Sequence, residues 1–212
     1  MSNDIPDRTG RRLPAILLAA ATAAIAVLAP PPSARADGWS GTCEVRFRGT
    51  STLHDFTGKV RCQPFRLGVA TAGGGRTIVP AAEVAVLARE MDTGNGTRDR
   101  QMRETLQSDG FPRIRANFGP IDPESIRQEL RTAPQARVPL DFTLTIRDVG
   151  RPVHAFAGHF RETGAEVSFE VDFTVSLKDF RLPPPRALFG LVRVGDSVHV
   201  TAAVRLETSG PD

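Results

Sequence analysis

The chain has no tyrosine, one tryptophan (Trp39), two cysteines and four histidines, and each scarcity removes a class of protein from consideration. Transmembrane β-barrels carry aromatic girdles at both interfaces around a polar lumen. With no tyrosine, and Trp39 placed ahead of the first alternating run, the apolar sides of any strands here belong inside the molecule rather than against lipid. Cys43 and Cys62 form no C-x-x-C pair, so a dithiol redox motif or thiolate zinc site has no basis. The histidines stand at no recognised ligand spacing, and no metal is expected. There is no G-x-S-x-G elbow and no glycine-rich phosphate loop, since Gly73-Gly74-Gly75 precedes no helix and reads as a hairpin tip. Catalysis therefore lacks a motif, and the chain is read as non-catalytic.

The first residues have the composition of a targeting segment. Arg8, Arg11 and Arg12 precede an uncharged apolar stretch from Leu13 to Ala29 that leads through three prolines to Ala34-Arg35-Ala36. About 17 apolar residues fall short of the roughly 20 that span a bilayer, and the A-x-A ending predicts cleavage after Ala36. Residues 1–36 are read as a signal peptide and 37–212 as one domain, with no transmembrane segment in the mature chain. Arg11-Arg12 raises the twin-arginine route, for which Gly10 and Leu13-Pro14 are poor surroundings. Removing residues 1–36 takes four of 27 basic and two of 24 acidic residues, leaving 23 against 22. That balance cannot supply the basic surface that phosphate backbones require, and nucleic acid is set aside.

From Cys43 onward the pattern is strict alternation, which puts every second side chain on one face of a strand. Val167, Phe169, Val171, Phe173, Val175 and Leu177 alternate with Ser168, Glu170, Asp172, Thr174 and Ser176. Leu140, Phe142, Leu144 and Ile146 repeat the pattern, as do Val198, Val200, Ala202, Val204 and Leu206. Shorter versions occur at 43–47, 60–62, 82–86 and 114–118, and a less regular one at 153–160, for about eight strands. Turns are expected at Gly73–Gly75, Val149-Gly150, Thr163-Gly164 and Gly195-Asp196. One helix is expected over about 98–107, and a second from the N-cap Asp122 with Pro123 at its first position.

In an exported chain two cysteines favour a disulfide over two buried free thiols. If Cys43 faces Cys62, then Val45 faces Val60 and Phe47 faces Gly58, with the apolar partners on one sheet face. About eight antiparallel strands, each apolar on one side, are satisfied by closure into a barrel or by a two-sheet sandwich. Closure also removes both sheet edges, and such a barrel is filled by side chains or holds one small ligand.

Particular segments carry a resemblance. Gly49-Thr50-Ser51-Thr52-Leu53-His54-Asp55-Phe56-Thr57-Gly58 resembles the S-T-L-H-D-[FW]-x-G turn of the YceI-like, polyisoprenoid-binding family. Met91-Asp92-Thr93-Gly94-Asn95 followed by Arg98-Asp99 and Met102 is similar to its I-D-T-G-N…R-D-x-H-L segment, and Gly110-Phe111-Pro112-Arg113-Ile114 to its F-P-x-I strand start. Lys178-Asp179-Phe180-Arg181-Leu182, Leu188-Phe189-Gly190 and Val194-Gly195-Asp196-Ser197-Val198 are similar to its C-terminal pattern. Gln101 replaces the family's histidine and Arg181 its glycine, and 121–136 looks like a local elaboration. The resemblance implies an all-β, eight-stranded, lipocalin-like antiparallel barrel in the periplasm, with one or two short helices. Its implied ligand is the tail of a polyprenyl compound or quinone, with no other cofactor, in a monomer or homodimer.

Candidate wall residues are Val45, Phe47, Val84, Val86, Phe118, Leu140, Phe142, Leu144, Phe169, Val171 and Phe173, with Leu53, Phe56, Phe111, Leu188 and Phe189 as candidate mouth residues. Two rival readings remain: a rigid envelope interaction module with a filled core, and a small enzyme using the His54-Asp55 turn. His154 and His159, five apart on one strand, are expected on opposite faces, and His199 on a wet one.

Overall fold

The computed structural model of the chain describes residues 38–208 other than 53, 134, 184–185 and 188–191. The expected signal peptide therefore lies outside the described residues, as do Leu53, Leu188 and Phe189.

The strands are β1 (Gly38–Ser51), β2 (Phe56–Arg61), β3 (Phe65–Gly68), β4 (Ala70–Thr71), β5 (Thr77–Ile78), β6 (Ala82–Leu87), β7 (Arg113–Phe118), β8 (Val138–Ile146), β9 (Val149–Thr163), β10 (Glu166–Ser176), β11 (Arg186–Ala187) and β12 (Val192–Thr208). Eight of them form one antiparallel path, β2-β1-β12-β10-β9-β8-β7-β6, which is the expected eight-stranded sheet. It curls until its ends meet. Cys62 bridges Val86, Gln63 N–H donates to the Ala85 carbonyl at 2.8 Å, and Lys59 and Asp92 exchange backbone bonds of 2.8 and 2.9 Å. The seam of the barrel is thus a few bonds rather than a full ladder.

Inward alternation is continuous across strands. Val60, Val45, Ala202, Val171, Ala157 and Val138 are successive register partners across six of them, so one apolar row runs round much of the wall. β1 pairs with β2 through Val45·Val60 and Phe47·Gly58, the register that alternation predicts. Cys43 and Cys62 are disulfide-bonded, with Cα atoms 5.1 Å apart. Three glycines stand opposite phenylalanines in this corner: Gly58 by Phe47, Gly49 by Phe56, and Gly41 by Phe65. Each ring covers the bare glycine backbone, and a Cβ on Gly58 would lie 2.2 Å from Phe47 Cζ.

Three sequence expectations shift. The β8–β9 turn is Arg147-Asp148, because Val149 already pairs with Ile146, and Arg147 takes the positive φ of 57° that the tight turn needs. Gly195-Asp196 is no turn but lies within β12, next to a register shift opposite Gly49 and Ser51. His154 and His159 do not face opposite ways: both side chains are exposed, at 84% and 70%. Between Glu170·Gly158 and Ser168·Arg161 the strand β9 carries one extra residue, and His159 sits there at φ 53°. Such a bulge resets the alternation.

β9 and β10 also part company. Their pairing ends at Asp172·Phe156, although β10 continues along β12 to Ser176·Ser197 and β9 continues along β8 to Val149. The cause is local. A two-residue turn makes Ile146·Val149 a hydrogen-bonded pair, so Thr143·Pro152 is of the alternate kind, whose N–H groups point to the next strand. Proline has no such donor. The gap is a cleft lined by residues of both strands and bordered by Phe180, which is 2% exposed, and Arg151 Nε donates across to the Asp179 carbonyl at 2.9 Å.

Both helices form as expected. In α1 (Gly96–Leu106) Asn95 Oδ1 caps the N–H groups of Thr97 and Arg98. In α2 (Pro123–Thr132) Asp122 caps Ser125 and Pro123 opens the first turn. The latter occupies most of the 121–136 elaboration.

Candidate functional site: a lengthwise apolar cavity

The inner face of the curled sheet lines a cavity of about 600 Å³ that opens to solvent. Its lining on β12 runs from Val194 to Leu206. At about 3.3 Å per residue and a strand tilt near 40°, that distance projects to roughly 30 Å along the barrel axis.

The wall is built as the alternation predicts. Val45, Phe47, Val84, Val86, Phe118, Leu140, Phe142, Leu144, Phe169, Val171 and Phe173 all line the cavity, and Phe56, expected at the mouth, lines it too. Phe142 is its aromatic centre, with Phe118 tilted at 4.9 Å and Phe173 edge-on at 5.2 Å. Phe111 is elsewhere: its ring lies 6.0 Å from the Arg147 guanidinium, outside the lining, because Phe111 N–H bonds Gln107 O and holds the loop after α1 against the helix end.

Several lining residues were not singled out from sequence. Phe65 and Leu67 of β3, Ile121, and the disulfide cysteines themselves face the cavity, as do Met91, Met102 and Leu106. The spacing of Met102 and Leu106 marks one apolar helix stripe, but a stripe does not say what it faces. The orientation comes from the preceding loop. Asp92 is bonded to Lys59 of β2, Gly94 takes φ 69°, and the buried Asp99 accepts bonds from Thr93 N–H at 2.9 Å and Thr93 Oγ1 at 2.6 Å. Together these lay α1 over the end of the barrel where β1 finishes and β2 begins.

That end is the polar one. Ser51, His54, Asn95, Thr97, Arg98, Gln101 and Thr105 line it, whereas Phe65, Leu67, Phe118, Ile121, Leu140 and Leu206 line the other. His54 is exposed, and its backbone N–H and carbonyl are bonded by Ser51 Oγ at 3.2 and 2.6 Å. His199 meets only Thr174 at 3.4 Å and His154 pairs with Asp141 at 3.0 Å. Among the described residues no cluster of His, Cys, Asp and Glu is arranged to hold a metal ion.

A family model described as the YceI-like domain matches residues 39–206, nearly the whole of the described barrel. The chain belongs to the YceI-like family. Solved structures agree on the fold. A polyisoprenoid binding domain from Saccharophagus degradans, implicated in plant cell wall breakdown, superposes with a TM-score of 0.56 at 13% identity, covering 80% of this chain and 98% of its own. BcnA from Burkholderia cenocepacia gives 0.55 at 13% identity, covering 77% and 95%. No curated protein sequence matches. In this YceI-like chain, then, the eight-stranded architecture is the family's.

Proposed function

We propose that this YceI-like protein is an exported, non-catalytic carrier that holds the long apolar tail of an isoprenoid-type lipid, such as a polyprenyl compound or a quinone, lengthwise in its barrel. The observation that carries the proposal is the cavity, about 600 Å³, within the usual range for ligand pockets. Each buried CH₂ contributes about 0.8 kcal/mol, so a dozen tail carbons give about 10 kcal/mol before ordering costs. Micromolar binding corresponds to about 8 kcal/mol. The tail alone is therefore sufficient. The polyisoprenoid binding domain that shares the fold supports the ligand class, and the leader-like residues 1–36 together with the Cys43–Cys62 disulfide support export to the periplasm or beyond.

A filled-core interaction module is disfavoured by the same cavity. The enzyme reading is disfavoured because, among the described residues, no Asp or Glu lines the cavity beside His54 to serve that imidazole as an acid–base partner. Native mass spectrometry of the purified protein, followed by lipid extraction, tests the proposal. A co-purifying single-chain apolar compound, or saturable uptake of a fluorescent prenyl lipid by the emptied protein, is expected. Failure of both overturns it.

A further inference from the structure

We infer that the lipid carried by this protein ends in an oxyanion, a phosphate or carboxylate, and that Arg98 reads it. The inference rests on the carrier reading above and narrows its ligand class to amphiphiles with an anionic head, which favours a polyprenyl phosphate or carboxylate over a quinone. Among the described residues lining the cavity, Arg98 is the one side chain that carries a permanent charge, and no Asp or Glu lines it at all. A buried or half-buried cation ordinarily has a carboxylate beside it. Arg98 is half-buried, and its guanidinium lies 5.1 Å from the centre of the Phe56 ring.

The nearby acids are committed elsewhere. Asp99 accepts from Thr93, Asp55 pairs with Arg48 at 2.9 Å, and Asp92 Oδ1 accepts from Gly94 N–H at 2.8 Å. Asn95 Oδ1 is occupied by the helix cap. What remains at the polar end is a guanidinium with its donors free, beside the Gln101 amide and opposite an apolar channel. Stacking on Phe56 holds the guanidinium plane in place without neutralising it. A planar fork of N–H donors matches an oxyanion, whereas a quinone carbonyl or an alcohol offers no charge to it. The tail supplies the affinity and the head supplies the direction of insertion, with the far end of the channel lacking any polar group to compete.

The test uses the full mature protein, delipidated, with geranylgeranyl monophosphate and geranylgeraniol as probes that share a tail and differ in the head. Wild type is expected to bind the monophosphate about ten- to one-hundredfold more tightly than the alcohol. Arg98→Gln removes that preference and leaves the alcohol affinity unchanged, and Arg98→Lys retains part of it. Matching thermal melts of the variants and wild type show that the fold is intact, and unchanged alcohol binding shows the same of the channel. Inorganic phosphate alone is expected to bind at least one hundredfold more weakly than the monophosphate. Equal binding of the two lipids by wild type, a preference that survives in Arg98→Gln, or tight binding of phosphate without a tail each overturns the inference. Failure of wild type to bind either lipid overturns the carrier reading itself.

Discussion

Replacing Ala202 by tryptophan separates an open channel from a packed core, because the two give opposite signs. Ala202 lies on β12 between Val45 of β1 and Val171 of β10, near the middle of the channel, and lines it. In a close-packed interior, an indole forced into that position costs about 1–3 kcal/mol in displaced side chains and backbone. In a channel it fills void and buries on the order of 150 Å² more apolar surface, which at 25 cal/mol per Å² roughly offsets or exceeds its ordering cost. The expected outcome is therefore a melting temperature unchanged or raised. Lipid binding moves the other way. A plug at mid-length excludes about half of a dozen tail carbons, six at 0.8 kcal/mol each, or about 5 kcal/mol. At 1.4 kcal/mol per decade that is a loss of three to four decades in affinity. Calorimetry and titration with a fluorescent prenyl lipid read both quantities on one sample. A melting temperature lowered by several degrees, or retention of native affinity, refutes the channel.

Other consequences follow from particular contacts. Replacing both Cys43 and Cys62 by serine opens a loop with a sequence separation of 19 and is expected to cost about 3 kcal/mol, a drop of roughly 6–12 °C for a domain of this size by thermal denaturation. Gly58→Ala places a methyl 2.2 Å from Phe47 Cζ, and chemical denaturation is expected to show a loss of about 1–3 kcal/mol. The Asp196 carboxyl is held below its ordinary range by the Lys178 backbone N–H, then by the Ser176 hydroxyl. A depressed native pKa contributes stability that is present above the unfolded value near 3.9 and is lost as pH falls through the native one. Asp196→Asn should therefore destabilise at neutral pH, and the difference from wild type should vanish in urea melts run at progressively lower pH.

Much of this architecture is legible in the residues, and the reason is geometric. A period of two leaves each strand no choice of face, so Val167 through Leu177 declare their inner side. The pairing of Cys43 with Cys62 then fixes Val45 against Val60 without reference to anything distant. What escapes is whatever depends on a single residue breaking the period or on contacts between remote segments. The extra residue at His159 shifts the later part of β9, and nothing in the run from Val153 to Phe160 announces it. Pro152 withholds its donor from β10, a neighbour that only the strand order reveals. At the site, the eleven wall phenylalanines and aliphatics follow from alternation. Arg98 does not, since its position over the channel depends on how Asp92 is tied to β2. Phe111 was grouped with the mouth because it is bulky and in a loop, and it packs instead under Arg147.

The parting of β9 from β10 bears on selectivity. A fully laddered barrel has a fixed circumference, because every strand spacing is set by hydrogen bonds. Here the interval between β9 and β10 beyond Phe156 and Asp172 is a cleft beside Phe180 with no ladder bonds across it. If the barrel carries an apolar tail as proposed, its girth over that interval is not fixed by hydrogen bonds, and discrimination between tails is expected to fall to length and to the terminal group.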